Sequence, residues 1–138
     1  MGQGVSAMAY QHAVVWIDHR EARVIDFSVD DRHVVTIPHE GVPRKLHRKA
    51  NPDDGSKPDV PEDPKYFDEV VAAIGDAREI LVTGPGTAKT AFRKHIDKRH
   101  PKVAERIVGV EATDHPSDGQ LLSMAKRYFK RVDNLRGL

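Results

Sequence analysis

The chain has 138 residues, of which 38% are hydrophobic and 31% charged, and a formal net charge of +1. That suffices for one domain built on a single sheet covered by helices, and the lowish apolar fraction suits a small body with much surface. The lack of cysteine excludes a disulfide framework and thiolate metal ligands, and no apolar run approaches the roughly 20 residues of a membrane-spanning helix.

Residues 1–11 read as a flexible, glycine-rich leader. Gly2 to Ser6 formally match an N-myristoylation pattern, but a single acyl chain binds membranes only weakly and no second membrane signal accompanies it. No membrane partner is therefore expected, and the cytoplasm is the default location. Ala13-Val14-Val15-Trp16-Ile17 is a continuous, β-branched apolar run and predicts a central strand. Asp18-His19-Arg20-Glu21 turns the chain into a second strand over 22–27, and Asp30-Asp31-Arg32 turns it again into a third over 33–37. Two tight turns joining three strands predict an antiparallel meander.

Residues 39–62 hold Pro43, Pro52, Pro58 and Pro61 and show no hydrophobic period, so they form a long loop, basic at 44–49 and acidic afterwards. Loops of that length in compact domains are usually functional or disordered. Asp63-Pro64 supplies a helix cap and a proline at the first helical position, and Phe67, Val70, Val71 and Ile74 then fall on one helical stripe. Residues 80–83 predict a fourth strand, ended by Gly84-Pro85-Gly86. The next helix buries Ala88, Phe92 and Ile96, with His95 a further candidate for the inner face, and turns Lys89, Arg93, Lys94 and Lys98 outward. Residues 107–110 predict strand five, and Ser117 with Gln120 makes a capping box for a last helix burying Leu121, Ala125, Tyr128, Phe129 and Val132.

Single helices between successive strands require parallel pairing with crossover connections. The predicted architecture is α/β, a five-stranded mixed sheet in the order 3-2-1-4-5 with three main helices, as in the ribonuclease H-like fold. One domain over 12–132 accounts for all of these elements.

Several of these segments together resemble a known family. The run 13–15, Val35-Thr36-Ile37-Pro38, the basic loop, Tyr66-Phe67-Asp68-Glu69-Val70-Val71, and 80–86 followed by Lys89 and Phe92 resemble the middle domain of Pelota and of the archaeal and eukaryotic class-1 peptide release factors. Small stand-alone bacterial proteins of the translational machinery look similar over nearly the whole chain. The resemblance spans about residues 12–131. It implies the ribonuclease H-like fold and a partner in the ribosome or its tRNA and rRNA. Release factors carry a Gly-Gly-Gln tripeptide after the third strand; 39–62 lack it, so peptidyl-tRNA hydrolysis is not carried over. Pelota presents a basic loop there, as Arg44-Lys45-Leu46-His47-Arg48-Lys49 does here.

Charge distribution points the same way. Lys and Arg against Asp and Glu number 3 to 6 over residues 1–43, 4 to 0 over 44–49, 3 to 9 over 50–85 and 12 to 6 over 86–138. A positive face can therefore exist at near-zero net charge. Arg44, Lys45, His47, Arg48 and Lys49, with Lys89, Arg93, Lys94 and Lys98, are the expected phosphate-backbone contacts of a non-enzymatic RNA- or ribosome-binding domain. A solvated loop folded against its own acidic half explains the hexad equally well.

Residues 83–90 fall short of a phosphate-binding Walker loop: Thr83 stands where the first glycine belongs and Ala88 precedes Lys89, so a Gly-Pro turn with Thr87 capping the next helix is the plainer reading. Asp18-His19 after strand one and Asp114-His115 after strand five share a carboxyl edge with Gly84 to Lys89, where open α/β sheets bind ligands. Those four side chains could ligate a metal, giving an alternative reading as a small phosphate- or metal-dependent hydrolase; turn-ordering loop residues are the plainer reading. A ribonuclease-type set of Asp18, Glu69 and Asp118 lacks the acid expected at the end of strand four. No cofactor and no bound metal are expected. A third reading is a protein–protein adaptor whose exposed third strand pairs as a sheet edge, including with a second copy.

Overall fold

The computed structural model describes residues 10–40 and 63–135. The basic hexad at 44–49, and with it Arg44, Lys45, His47, Arg48 and Lys49, lies outside the described residues, as do most of the leader and of the loop over 39–62.

Strands β1 (His12–Ile17), β2 (Glu21–Phe27) and β3 (Arg32–Pro38) form the meander, followed by α1 (Pro64–Ile74), β4 (Glu79–Gly84), α2 (Ala88–Arg99), a short α3 (Pro101–Ala104), β5 (Ile107–Ala112) and α4 (Asp118–Leu135). The sheet order is β3-β2-β1-β4-β5. β1–β2 and β2–β3 pair antiparallel, while β1–β4 and β4–β5 pair parallel, with Val14 opposite both Ile25 and Leu81. This is the mixed sheet expected from the sequence.

The continuous apolar run of β1 has a direct consequence: it is buried on both faces. Ala13, Val15 and Ile17, with Val24, Ile80 and Val82, pack under α1 and α2 through Phe67, Val70, Ile74, Phe92 and Ile96. Val14 and Trp16, with Ile25, Phe27 and Leu81, face α4 through Leu121, Leu122, Ala125 and Phe129. Two cores therefore clamp the sheet, and each fully buried large side chain contributes about 1.5–3 kcal/mol. Tyr128 and Val132, expected inside, are only half-buried, because they lie at the margin of the α4 stripe.

The caps follow local chemistry. Asp63 accepts from the backbone N–H groups of Lys65 and Tyr66 at 3.1 and 3.5 Å. Ser117 and Gln120 exchange side-chain and backbone bonds at 2.9 and 3.1 Å, completing the capping box. Thr87 departs from expectation: it occupies the cap of α2, but its side chain makes no cap hydrogen bond. Its backbone is already helical there (φ −104°, ψ −7°), and its carbonyl accepts from Thr90 and Ala91. The helix α3 was not anticipated; it forms where His100-Pro101 breaks α2 and restarts the chain.

Two glycines sit at close approaches, and backbone requires the first. Gly84 has φ +146°, and a Cβ there would run into the Ile17 carbonyl oxygen across the parallel pair. Gly109 on β5 makes room for the Tyr128 hydroxyl, which donates to the Val108 carbonyl at 3.4 Å.

Candidate functional site at the carboxyl edge

The parallel strands β1, β4 and β5 all end at one edge. There Asp18 caps the β1–β2 turn, its Oδ1 accepting from the N–H groups of Arg20 and Glu21 at 2.8 and 2.9 Å. That leaves Oδ2, which lies 3.8 Å from the Nε2 of His115. The His115 Nδ1 is 3.2 Å from Asp114 Oδ1, and its ring tilts over Trp16 with centroids 5.1 Å apart. The Trp16 indole N–H donates to the Asp114 carbonyl at 2.8 Å, so a buried ring of β1 holds the loop after β5 in place. Asp18, Asp114 and His115 are thus brought near one another.

His19 takes a different part. Its carbonyl faces His39 Nδ1 at 2.8 Å, while His39 Nε2 contacts Asp63 Oδ2 at 2.9 Å. The His39 ring stacks on Tyr66 (4.2 Å, 2°), whose hydroxyl donates to the Asp18 carbonyl at 3.0 Å. Burial pushes the Tyr66 phenol well above its ordinary range, so it remains a donor. These contacts bring together the two described ends of the segment carrying the basic hexad, beside the Asp18 turn. Among the described residues, Asp18, His19, Asp114 and His115 do not converge as a metal-ligand set.

Lys89 bends back so that its ammonium donates to the Gly86 carbonyl at 2.6 Å. Arg93 pairs with Asp97 one turn on, at 3.0 Å. Lys94 and Lys98 are exposed and one turn apart. Glu69 is exposed on α1, and Asp118 sits at the start of α4, paired with Arg23 rather than with Asp18.

No protein-family model matches the chain. Over 103 residues, 74% of its length, it is 30% identical to a Pelota homolog from Methanococcus aeolicus, and it spans 27% of that protein. The Pelota structure from Archaeoglobus fulgidus superposes with a TM-score of 0.58 at 17% identity, covering 89% of this chain and 32% of that one. The chain carries a Pelota-like domain. The Thermoplasma acidophilum Pelota structure shares the fold too, with a TM-score of 0.51 at 18% identity over 78% of this chain and 29% of that one. The chain thus spans about a third or less of these relatives.

At the edge of the Pelota-like domain, one residue escaped sequence reasoning. Arg23 on β2 lies directly across from Trp16, with its guanidinium 4.6 Å above the indole and bonded to Asp118 at 2.8 Å. Among the described residues its Nε is buried without a hydrogen-bond partner, as is the Thr113 hydroxyl after β5. The signal was present: an arginine stands at an alternate position of a strand whose same-face neighbours, Ile25 and Phe27, are core. The arrangement can orient an anion or a carbonyl beside Trp16, but its charged groups are largely committed to one another.

Proposed function

We propose that this Pelota-like domain is a non-enzymatic module of translation that binds the ribosome or its tRNA and rRNA. It would grip phosphate backbone through Arg44, Lys45, His47, Arg48 and Lys49 and through the outer face of α2. The observation that carries this reading is the 30% identity to a Pelota homolog across 74% of the chain. The yeast Dom34 structure, described as a translation termination-like factor in RNA quality control that interacts with Hbs1, shares the fold with a TM-score of 0.51 at 10% identity, covering 84% of this chain and 32% of that one. Geometry adds support: the His39–Asp63 contact ties the ends of the hexad segment together at the sheet edge, and Lys94 and Lys98 are exposed on α2.

Co-sedimentation with ribosomes at graded salt tests it. Each phosphate contact contributes a log–log slope of roughly 0.7–0.9. Replacing Arg44, Lys45, Arg48 and Lys49 by Ala flattens the slope by up to about three units, and Lys94→Ala with Lys98→Ala by about one to two. No pelleting above background at low salt, or slopes unchanged in both variants, refutes the reading. A small hydrolase at the carboxyl edge is the second reading, favoured by the approach of His115 to Asp18 at 3.8 Å. It requires Asp18→Asn to abolish turnover of a phosphoester substrate.

A further inference from the structure

Away from the carboxyl edge, α1 and α2 bring three side chains to one point. Asp68 on α1 sits 2.7 Å from the Nε2 of His95 and 2.8 Å from the Nε2 of His100, both measured to the same oxygen, Oδ1. The donor atoms of all three residues lie within 4.8 Å of one another. We propose that Asp68, His95 and His100 bind a single divalent transition-metal ion of the zinc, cobalt or nickel class.

The donor set suits such an ion. Two imidazole nitrogens and one carboxylate oxygen are ligands for borderline metals, and bonds of about 2.0–2.1 Å place neighbouring ligand atoms roughly 3 Å apart. The present spacings of 2.7 and 2.8 Å need open only slightly for a metal to replace the two N–H protons that now share one oxygen. The ligands are also held in advance. The His95 ring is tilted against Phe67 with centroids 5.3 Å apart, and its side chain is 9% exposed. Phe67 is itself buried against Phe92. His100 is fixed from both sides of its backbone: its N–H donates to the Ile96 carbonyl at 2.8 Å, and its own carbonyl accepts from Val103 and Ala104. The Asp68 side chain is 50% exposed, so a metal held here keeps a face open to water. An ion at this point would pin α1 to α2 from outside the core.

Titrating zinc into the metal-stripped full-length chain, against a chromophoric zinc chelator, tests the site. The expected result is a break at a single equivalent. His100→Gln and Asp68→Asn should each weaken that binding by more than about tenfold, since even partners outside the coordination shell are worth 10–100-fold. His12→Gln, which removes the separate grouping of His12 with Glu79 and Asp133, should leave it unchanged. Far-UV circular dichroism checks that each variant is folded, and the half-exposed Asp68 supplies a decisive variant should His100→Gln unfold. No break in the intact chain overturns the proposal. So does binding that survives both His100→Gln and Asp68→Asn, or binding that is lost in His12→Gln.

Discussion

Asp26 lies in the middle of the meander with an accessibility of only 8%, and its Oδ1 has no hydrogen-bond partner. That lack of a partner holds among the described residues, where Asp26 stands opposite Ala13 on β1 and His33 on β3, on the same face as Ala22 and Val24. Desolvation of the charged form pushes its carboxyl from 3.8 up to about 7. As pH rises above about 4, the unfolded chain therefore loses this proton first, while the folded chain keeps it to about 7. The native state binds more protons throughout that window, so stability falls with rising pH and levels off above it. The full shift, at 1.36 kcal/mol per pH unit, sets a ceiling of about 4 kcal/mol; solvent near the carboxyl reduces the expected loss to about 2–3 kcal/mol. Asp26→Asn removes the titration and leaves an amide with at most a modest penalty for an unpaired donor, about 1–3 kcal/mol. Urea unfolding of both proteins, from about pH 4.5 to about pH 8.5, gives the difference directly and cancels the histidines and the neighbouring Tyr10 and Asp31, which both chains share. The wild type should lose stability relative to Asp26→Asn by about 2–3 kcal/mol across that range. Parallel stability curves, or a wild type that gains relative to the variant as pH rises, would refute the reasoning.

Gly84→Ala combines a backbone at φ +146° with a Cβ driven into the Ile17 carbonyl, and should destabilise by about 3 kcal/mol or more in urea melts. A loss below about 1 kcal/mol would mean that β1 and β4 approach less closely than described. Asp63→Ala removes the cap of α1 together with the partner of His39 Nε2, and should cost about 1–2 kcal/mol. Asp63→Asn, which keeps the capping oxygen, should recover most of this in the same melts.

Much of the fold was legible because it is written locally. The unbroken apolar run of β1 announced a strand covered on both faces, Asp63-Pro64 and Ser117-Gln120 announced helix starts, and short turns between the first strands announced the meander. Each signal acts over a few residues, so neighbours in sequence carry it. The strand order followed from the same local elements, since connections of that length leave few topologies. Tertiary structure decided the rest. Thr87 looked like a side-chain cap, yet its backbone is already helical and its side chain makes no cap hydrogen bond. His95 and His100, five residues apart, do not share a face on a continuous helix. They meet over Asp68 only because α2 ends at His100 and α1 packs alongside. Asp26 reads as one more polar residue in a strand, and only closure of the sheet around it raises its pKa. Local pattern fixes which face a side chain takes and where an element begins; convergence of groups distant in the chain, and the solvent left to each, depends on how the elements pack.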